Sequence, residues 1–287
     1  TGTNFLIVFF GAMEATIRKR LAEKGILVRG IDQKSFLKGY ARISVGSRPG
    51  NLALLNALKD IIPPDTVLFD MDGVLVDVSG SYRLAIKKTA EFFLQSAVGF
   101  DEIEDFKSRG GFNNDWDLTG ALLLSHGVKA PREKIIGKFQ ELYLGRNFDG
   151  FIKNEKWLMD VGILRKLKRD FKTGIVTGRP RVEAEFALKR FGVRRFFDVV
   201  VALEDVKGRM KPDPFGLEIA VRRLKSDRAL YVGDNIDDVK AAAAAGVFPA
   251  AVVPSRKDGG GAAEKSFREA GARFIIRSVN EIREALK

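Results

Sequence analysis

Residues 65–77 read Asp-Thr-Val-Leu-Phe-Asp-Met-Asp-Gly-Val-Leu-Val-Asp. Thr66–Phe69 reads as an apolar strand. It stops abruptly, and Asp70-Met71-Asp72-Gly73 follows. Immediately upstream, Pro63-Pro64 ends the preceding helix and holds the chain extended into the strand. A domain boundary is therefore expected there, between residues 62 and 65.

The same design recurs downstream. An apolar strand at Thr173–Val176 ends in Thr177-Gly178-Arg179, a strand at Asp198–Ala202 is followed by Lys211-Pro212-Asp213-Pro214, and a strand at Ala229–Val232 ends in Gly233-Asp234-Asn235-Ile236-Asp237-Asp238. Helices are expected between them, at Val182–Phe191, Phe215–Leu224 and Ile236–Ala245, with a further strand at Ala250–Val253. The closing segment reads as a helix at Ala262–Glu269, a short strand at Arg273–Ile276 and a helix at Val279–Leu286. Strands alternating with helices give an α/β fold with a doubly wound, Rossmann-like parallel sheet. In such a sheet ligands bind beyond the carboxyl ends of the strands where the strand order switches. The polar residues that follow each strand are thus the candidates for chemistry.

Composition narrows that chemistry. The 287 residues contain no cysteine and one histidine, which excludes disulfides, thiolate zinc sites and cysteine nucleophiles and leaves carboxylates, hydroxyls and lysines. The formal charge is +12, but residues 65–287 carry 39 Lys/Arg against 33 Asp/Glu without a dense basic stripe. Attraction for an anionic small molecule is expected, and no nucleic-acid partner. The apolar stretches Phe5–Met13 and Ala241–Val253 fall short of the roughly 20 residues of a membrane span. Neither a membrane segment nor a leader is expected, which suggests a cytoplasmic protein.

The four motifs, in this order and each after a strand, resemble the haloacid dehalogenase superfamily: an Asp-x-Asp, a Thr or Ser, a Lys and a Gly-Asp-x-x-x-Asp. The resemblance covers Asp65 to the C terminus. It implies that Asp70 attacks phosphorus, that Asp72 protonates the leaving alcohol and later activates water, and that Thr177 and Lys211 bind the phosphoryl group. Magnesium is implied as cofactor, held by the Asp70 and Asp234 carboxylates and the Asp72 backbone carbonyl, with Asp238 supporting that shell. Two carboxylates plus waters and phosphate oxygens suit this hard cation. The second aspartate favours hydrolysis of a small-molecule phosphate ester over dehalogenation. A phosphoryl mutase acting on a sugar phosphate and an inactive binding module are the alternatives.

Between the first two motifs, residues 78–154 are strongly helical and resemble the cap that some members carry there, leaving 65–77 and 155–287 as the core. Within it, Lys107–Asp117 interrupts the helices and concentrates Arg109, Asn113, Asn114 and Trp116. This is either a substrate-specificity loop or a solvated connection with Trp116 tucked into the cap. Gly178 and Arg179 are placed near the phosphate, Arg179 either reaching it or standing exposed at a helix start. Asp77 reads as a turn or helix-cap residue, His126 as a partner of helix-terminal carbonyls, and Gly259-Gly260-Gly261 as a surface turn.

Residues 1–62 read as a small α/β module: strand Asn4–Phe10, helix Met13–Lys24, strands Ile26–Arg29 and Ala41–Val45, and helix Asn51–Ile61. Gly2–Phe5, Lys24–Arg29, Arg42–Gly46 and the last helix resemble the carboxyl-terminal part of histidinol-phosphate aminotransferase, in which the residue matching Arg42 grips an anionic group; here Arg42 reads either that way or as a surface or structural residue. Without a cofactor-binding lysine domain, transamination is not expected. A docking or homodimerisation role is, and the juxtaposition suggests histidinol phosphate as the substrate.

Overall fold

The computed structural model describes residues 4–31, 36–108, 114–226, 228–254 and 261–286. The chain divides into two compact units, Thr1–Pro64 and Asp65–Lys287. The expected residues Arg109, Asn113, Gly259 and Gly260 lie outside the described residues.

In the first unit, β1 (Phe5–Phe9), α1 (Glu14–Glu23), β2 (Arg29–Gly30), β3 (Tyr40–Ser44) and α2 (Arg48–Ile61) follow one another. The strands form an antiparallel sheet in the order β1-β3-β2. Ile17 and Leu21 of α1 pack with Ala57 and Ile61 of α2. Ser47 caps α2 by accepting the Gly50 N–H at 3.3 Å. The strand expected at Ile26–Arg29 is shorter and later. Gly25, at φ +76°, ends α1, and the Ile26 N–H turns back to the Leu21 carbonyl, so pairing begins only at Arg29.

The second unit is built on β4 (Thr66–Phe69), whose four residues are all buried. After it come β5 (Val76–Asp77) and the helices α3 (Tyr82–Leu94), α4 (Phe100–Ser108), α5 (Asp115–Ser125) and α6 (Arg132–Tyr143), then β6 (Lys156–Trp157). β5 and β6 pair antiparallel, Val76 opposite Trp157, so the chain leaves the core for the four helices and returns through one short ribbon. The chain continues through α7 (Val161–Asp170), β7 (Lys172–Val176), α8 (Arg181–Arg190), β8 (Val199–Val201), α9 (Phe215–Leu224), β9 (Ala229–Gly233), α10 (Ile236–Ala244), β10 (Phe248–Val252), α11 (Gly261–Glu269) and β11 (Phe274–Ile276). A 3₁₀ segment, Val279–Glu284, stands where a terminal α-helix was expected. Ser278 caps it, but six residues do not accumulate a stable α-helical ladder.

Every ladder in the main sheet is parallel, and the order is β11-β10-β9-β4-β7-β8. The chain winds from β4 outward to β8, then crosses to β9 on the other flank of β4. The connections after β4 and β9 therefore diverge, and the switch in strand order lies between these two strands. Val67, Phe69 and Met71 share one buried cluster with Ile86, Leu122 and Phe139 of the inserted helices. No described helix is long and apolar enough to cross a membrane.

Candidate active site

Asp70 is the first residue beyond β4, and its N–H still donates to the Val232 carbonyl of β9 at 2.8 Å. The chain then reverses at once: the Leu75 and Val76 N–H groups both return to the Met71 carbonyl, at 2.9 and 2.8 Å. That reversal needs Gly73 at φ +73°, a left-handed conformation that a Cβ disfavours. A Cβ at position 73 would also lie 1.8 Å from Asp234 Oδ2. The glycine lets the loop after β4 close directly onto the aspartate after β9.

One oxygen from each of Asp70, Asp234 and Asp238 lies within 4.8 Å of the other two. Asp70 is nearly buried and Asp234 is exposed. Asp238 is fully committed by other bonds. Its Oδ2 accepts the N–H groups of Asp234 and Asn235, at 3.2 and 3.0 Å, as the third residue of a capping box on α10. Its Oδ1 is 2.5 Å from Lys211 Nζ. Asp238 therefore fixes both the loop that carries Asp234 and the lysine.

Lys211 Nζ stands 3.0 Å from Asp70 Oδ1 and donates to the Tyr231 hydroxyl at 3.0 Å. That hydroxyl in turn donates to the Val176 carbonyl at 3.0 Å, so the lysine is anchored to the end of β7 as well. Burial and the Asp238, Asp72 and Asp234 charges push Asp70 well above the usual carboxylate range, against the pull of Lys211. Burial works against the Lys211 charge, yet Asp238 and Asp70 hold its pKa well above the ordinary lysine value. Among the described residues, Lys211 supplies the one ammonium ion-paired with this carboxylate cluster. The oxygen-only donor set, partly open at Asp234, fits a hard divalent cation on those grounds.

Thr177, 3 % exposed, follows β7, and its N–H pairs with the Val201 carbonyl at 3.0 Å. Its Oγ1 accepts the Arg179 N–H at 3.1 Å, leaving the hydroxyl proton for another acceptor. At Gly178 a Cβ would come within 3.2 Å of Met210 Cε. Arg179 is not the exposed helix-start residue of one sequence reading, for it is 1 % exposed. Its Nε donates to Asp72 Oδ1 at 2.6 Å and its other nitrogens to Glu155 and Tyr143.

On the inserted helices, the Asn114 side chain caps α5 by accepting the Trp116 and Asp117 N–H groups. Trp116 packs edge-on to Phe139, with ring centroids 6.4 Å apart, against the buried cluster. The Asp77 carboxylate accepts the Ser79 N–H at 2.9 Å, a turn bond just beyond β5. The His126 ring meets the Glu102 carboxylate at 2.5 Å rather than the helix-terminal carbonyls, because α4 brings an acid alongside the end of α5.

Residues that sequence reasoning passed over complete the arrangement. For Tyr231 the available signal is no more than a polar-tipped side chain inside an apolar strand. Glu155 and Tyr143, which hold Arg179, and Tyr82, which lies under the Arg179 guanidinium and donates to the Glu183 carboxylate, gave no local signal, since the fold assembles them from separate segments.

The profile of the haloacid dehalogenase-like hydrolases matches residues 64–246. Among curated proteins, one named imidazoleglycerol-phosphate dehydratase from Phytophthora nicotianae is 38% identical over 191 residues, 64% of this chain. The matched part is 42% of that protein, so this chain corresponds to less than half of its length. Pyrophosphatase PpaX of Bacillus pumilus is 30% identical over 199 residues, 67% of this chain and 85% of the relative. Among solved structures, phosphatase Tt82 from Thermococcus thioreducens is 27% identical with a TM-score of 0.53, covering 63% of this chain and 87% of that one. The family match begins at residue 64 and does not bear on the aminotransferase resemblance of residues 1–62.

Proposed function

This chain belongs to the haloacid dehalogenase-like hydrolases and is a phosphatase, and from that premise we propose that it hydrolyses a small-molecule phosphate monoester through an aspartyl-phosphate on Asp70. The observation that carries the reading is the convergence at the switch in strand order: Asp70 Oδ1 lies 3.0 Å from Lys211 Nζ, within the carboxylate cluster completed by Asp234 and Asp238.

Asp70 attacks phosphorus as the ester P–O bond breaks, and Asp72 gives its proton to the departing alkoxide. Asp72, now a carboxylate, takes a proton from water, whose oxygen attacks phosphorus and breaks the bond to Asp70. Free phosphate leaves and both aspartates return to their starting states. Lys211 and the Thr177 hydroxyl hold phosphoryl oxygens and lower the repulsion between the carboxylate nucleophile and the anionic ester. Asp70, Asp234 and the Asp72 backbone carbonyl would hold magnesium, which supplies further charge neutralisation at the phosphoryl group. Asp238 would act by fixing Asp234 and Lys211.

Incubation with a generic aryl phosphate tests the reaction class: inorganic phosphate should appear only with magnesium present. A sugar phosphate separates hydrolysis from transfer, since an isomer formed without free phosphate would make the chain a mutase.

For the substrate we favour histidinol phosphate. The support is the juxtaposition with residues 1–62 and the relative named for imidazoleglycerol phosphate, which shares by name an imidazole and a phosphate ester. In a panel with pyrophosphate, phosphoglycolate and sugar phosphates, histidinol phosphate should lead in kcat/KM by about tenfold or more, ~1.4 kcal/mol of transition-state binding. A flat or inverted ranking removes that substrate and leaves the reaction class standing.

A further inference from the structure

Arg179 is the largest fully buried side chain of the described molecule, and each of its five N–H groups has an acceptor in reach. Nε donates to Asp72 Oδ1 at 2.6 Å, and Nη2 pairs with the same oxygen. Nη2 and Nη1 fork onto the two Glu155 oxygens at 2.9 and 3.0 Å, and Nη1 also reaches the Tyr143 hydroxyl at 3.3 Å. The guanidinium lies 5.0 Å over the Tyr82 ring. Glu155 is equally saturated, accepting from Ser81 Oγ and Tyr143 Oη at 3.0 Å each.

These partners have a common topology. Ser81 opens α3, Tyr143 closes α6, and Glu155 stands where the chain re-enters the core at β6. Asp72 belongs to the loop after β4. Burying a guanidinium is expensive unless every donor is used, and a network of this kind is commonly no more than a packing device. Asp72 sets this one apart. Both bonds from Arg179 take Oδ1 alone, while the Asp72 side chain keeps a third of its surface exposed. One oxygen is clamped and the other is free to exchange a proton.

We propose that Arg179 is a positioning residue: by tying Asp72 Oδ1 to Glu155 and Tyr143, it makes the aim of the acid-base carboxylate depend on how the inserted helices are seated. The inference rests on the proposed role of Asp72 in hydrolysis.

The test uses Arg179→Lys, which keeps the charge and loses the fork, on 4-nitrophenyl phosphate, whose phenolate leaves without a proton. The first turnover then reports attack by Asp70 alone, whereas steady-state turnover includes water activation by Asp72. Steady-state turnover should fall roughly 10- to 100-fold, the effect of misplacing a reacting group by about 1 Å. The first turnover should stay within about threefold, and Arg179→Lys added to Asp72→Asn should change turnover by no more than that, since coupled residues are non-additive. Equal losses in both phases, or the full factor persisting in Asp72→Asn, would overturn the proposal.

Should Arg179→Lys not fold, as judged by its thermal transition, Glu155→Gln carries the same test, with the same pattern expected and the same results decisive against it. Asp72→Asn at wild-type turnover would remove Asp72 from the reaction and the positioning role with it.

Discussion

Asp70→Asn is expected to lose magnesium-dependent phosphate release by roughly four orders of magnitude or more, because the proposed covalent step then has no nucleophile. The variant should nonetheless be folded, and in metal-free buffer at neutral pH its melting temperature should equal or exceed that of the wild type. The second expectation follows from linkage. Asp70's pKa is raised in the folded chain by burial and by neighbouring carboxylates. The stability this provides is present below the unfolded pKa and is lost as pH rises through the folded one. At pH values above the unfolded pKa, folding requires Asp70 either to take up a proton or to bury its charge, and both oppose folding; an uncharged isostere removes that opposition, while Lys211 keeps Asp238 as its partner. Activity assays and thermal melts on one preparation check both halves. Retained turnover would remove Asp70 from its role, and a large fall in melting temperature would make it a structural residue instead.

That separation of function from folding explains what could be read in the sequence. Strand-terminal residues announce themselves because an apolar run such as Val67-Leu68-Phe69 cannot end in Asp70 without presenting it at the edge of the sheet. The parallel order also fixes which edge. Asp70, Thr177 and Asp234 were legible for that reason, and Lys211 by its place in the motif order. Tyr231, which anchors Lys211, was not, since a tyrosine in a buried strand normally reads as packing.

The inserted helices were legible as helices but not as a surface. Asn114 shows why: a helix-capping asparagine and a substrate-binding one look alike until its oxygen is found on the Trp116 and Asp117 N–H groups. The network of Arg179, Glu155 and Tyr143 joins segments 24 and 36 residues apart in the chain, and no periodicity encodes it. Its signal existed only as an arginine before a proline.

Gly73→Ala is expected to disable the site with little change to the fold, and a second glycine separates the two reasons why. At φ +73° an alanine costs about 1–2 kcal/mol in backbone strain, a fall of a few degrees in melting temperature. Strain alone does not touch chemistry. The added methyl, however, occupies the position of the Asp234 carboxylate, 1.8 Å from Oδ2 and 2.6 Å from Cγ. The atom that must yield is the end of a side chain, so the loop survives while the proposed metal ligand is driven aside. Maximal turnover should drop about 100-fold, the scale of a displaced reacting group. The magnesium concentration for half-maximal rate should rise at least about tenfold, ~1.4 kcal/mol of lost affinity. Gly192 is the control: its φ is +69°, and a Cβ there meets nothing within 4 Å. Gly192→Ala should thus lower the melting temperature to a similar extent and leave the magnesium dependence and turnover at wild-type values. If the two variants behave alike in a magnesium titration, backbone strain accounts for both, and the contact between Gly73 and Asp234 has no part in holding the cation.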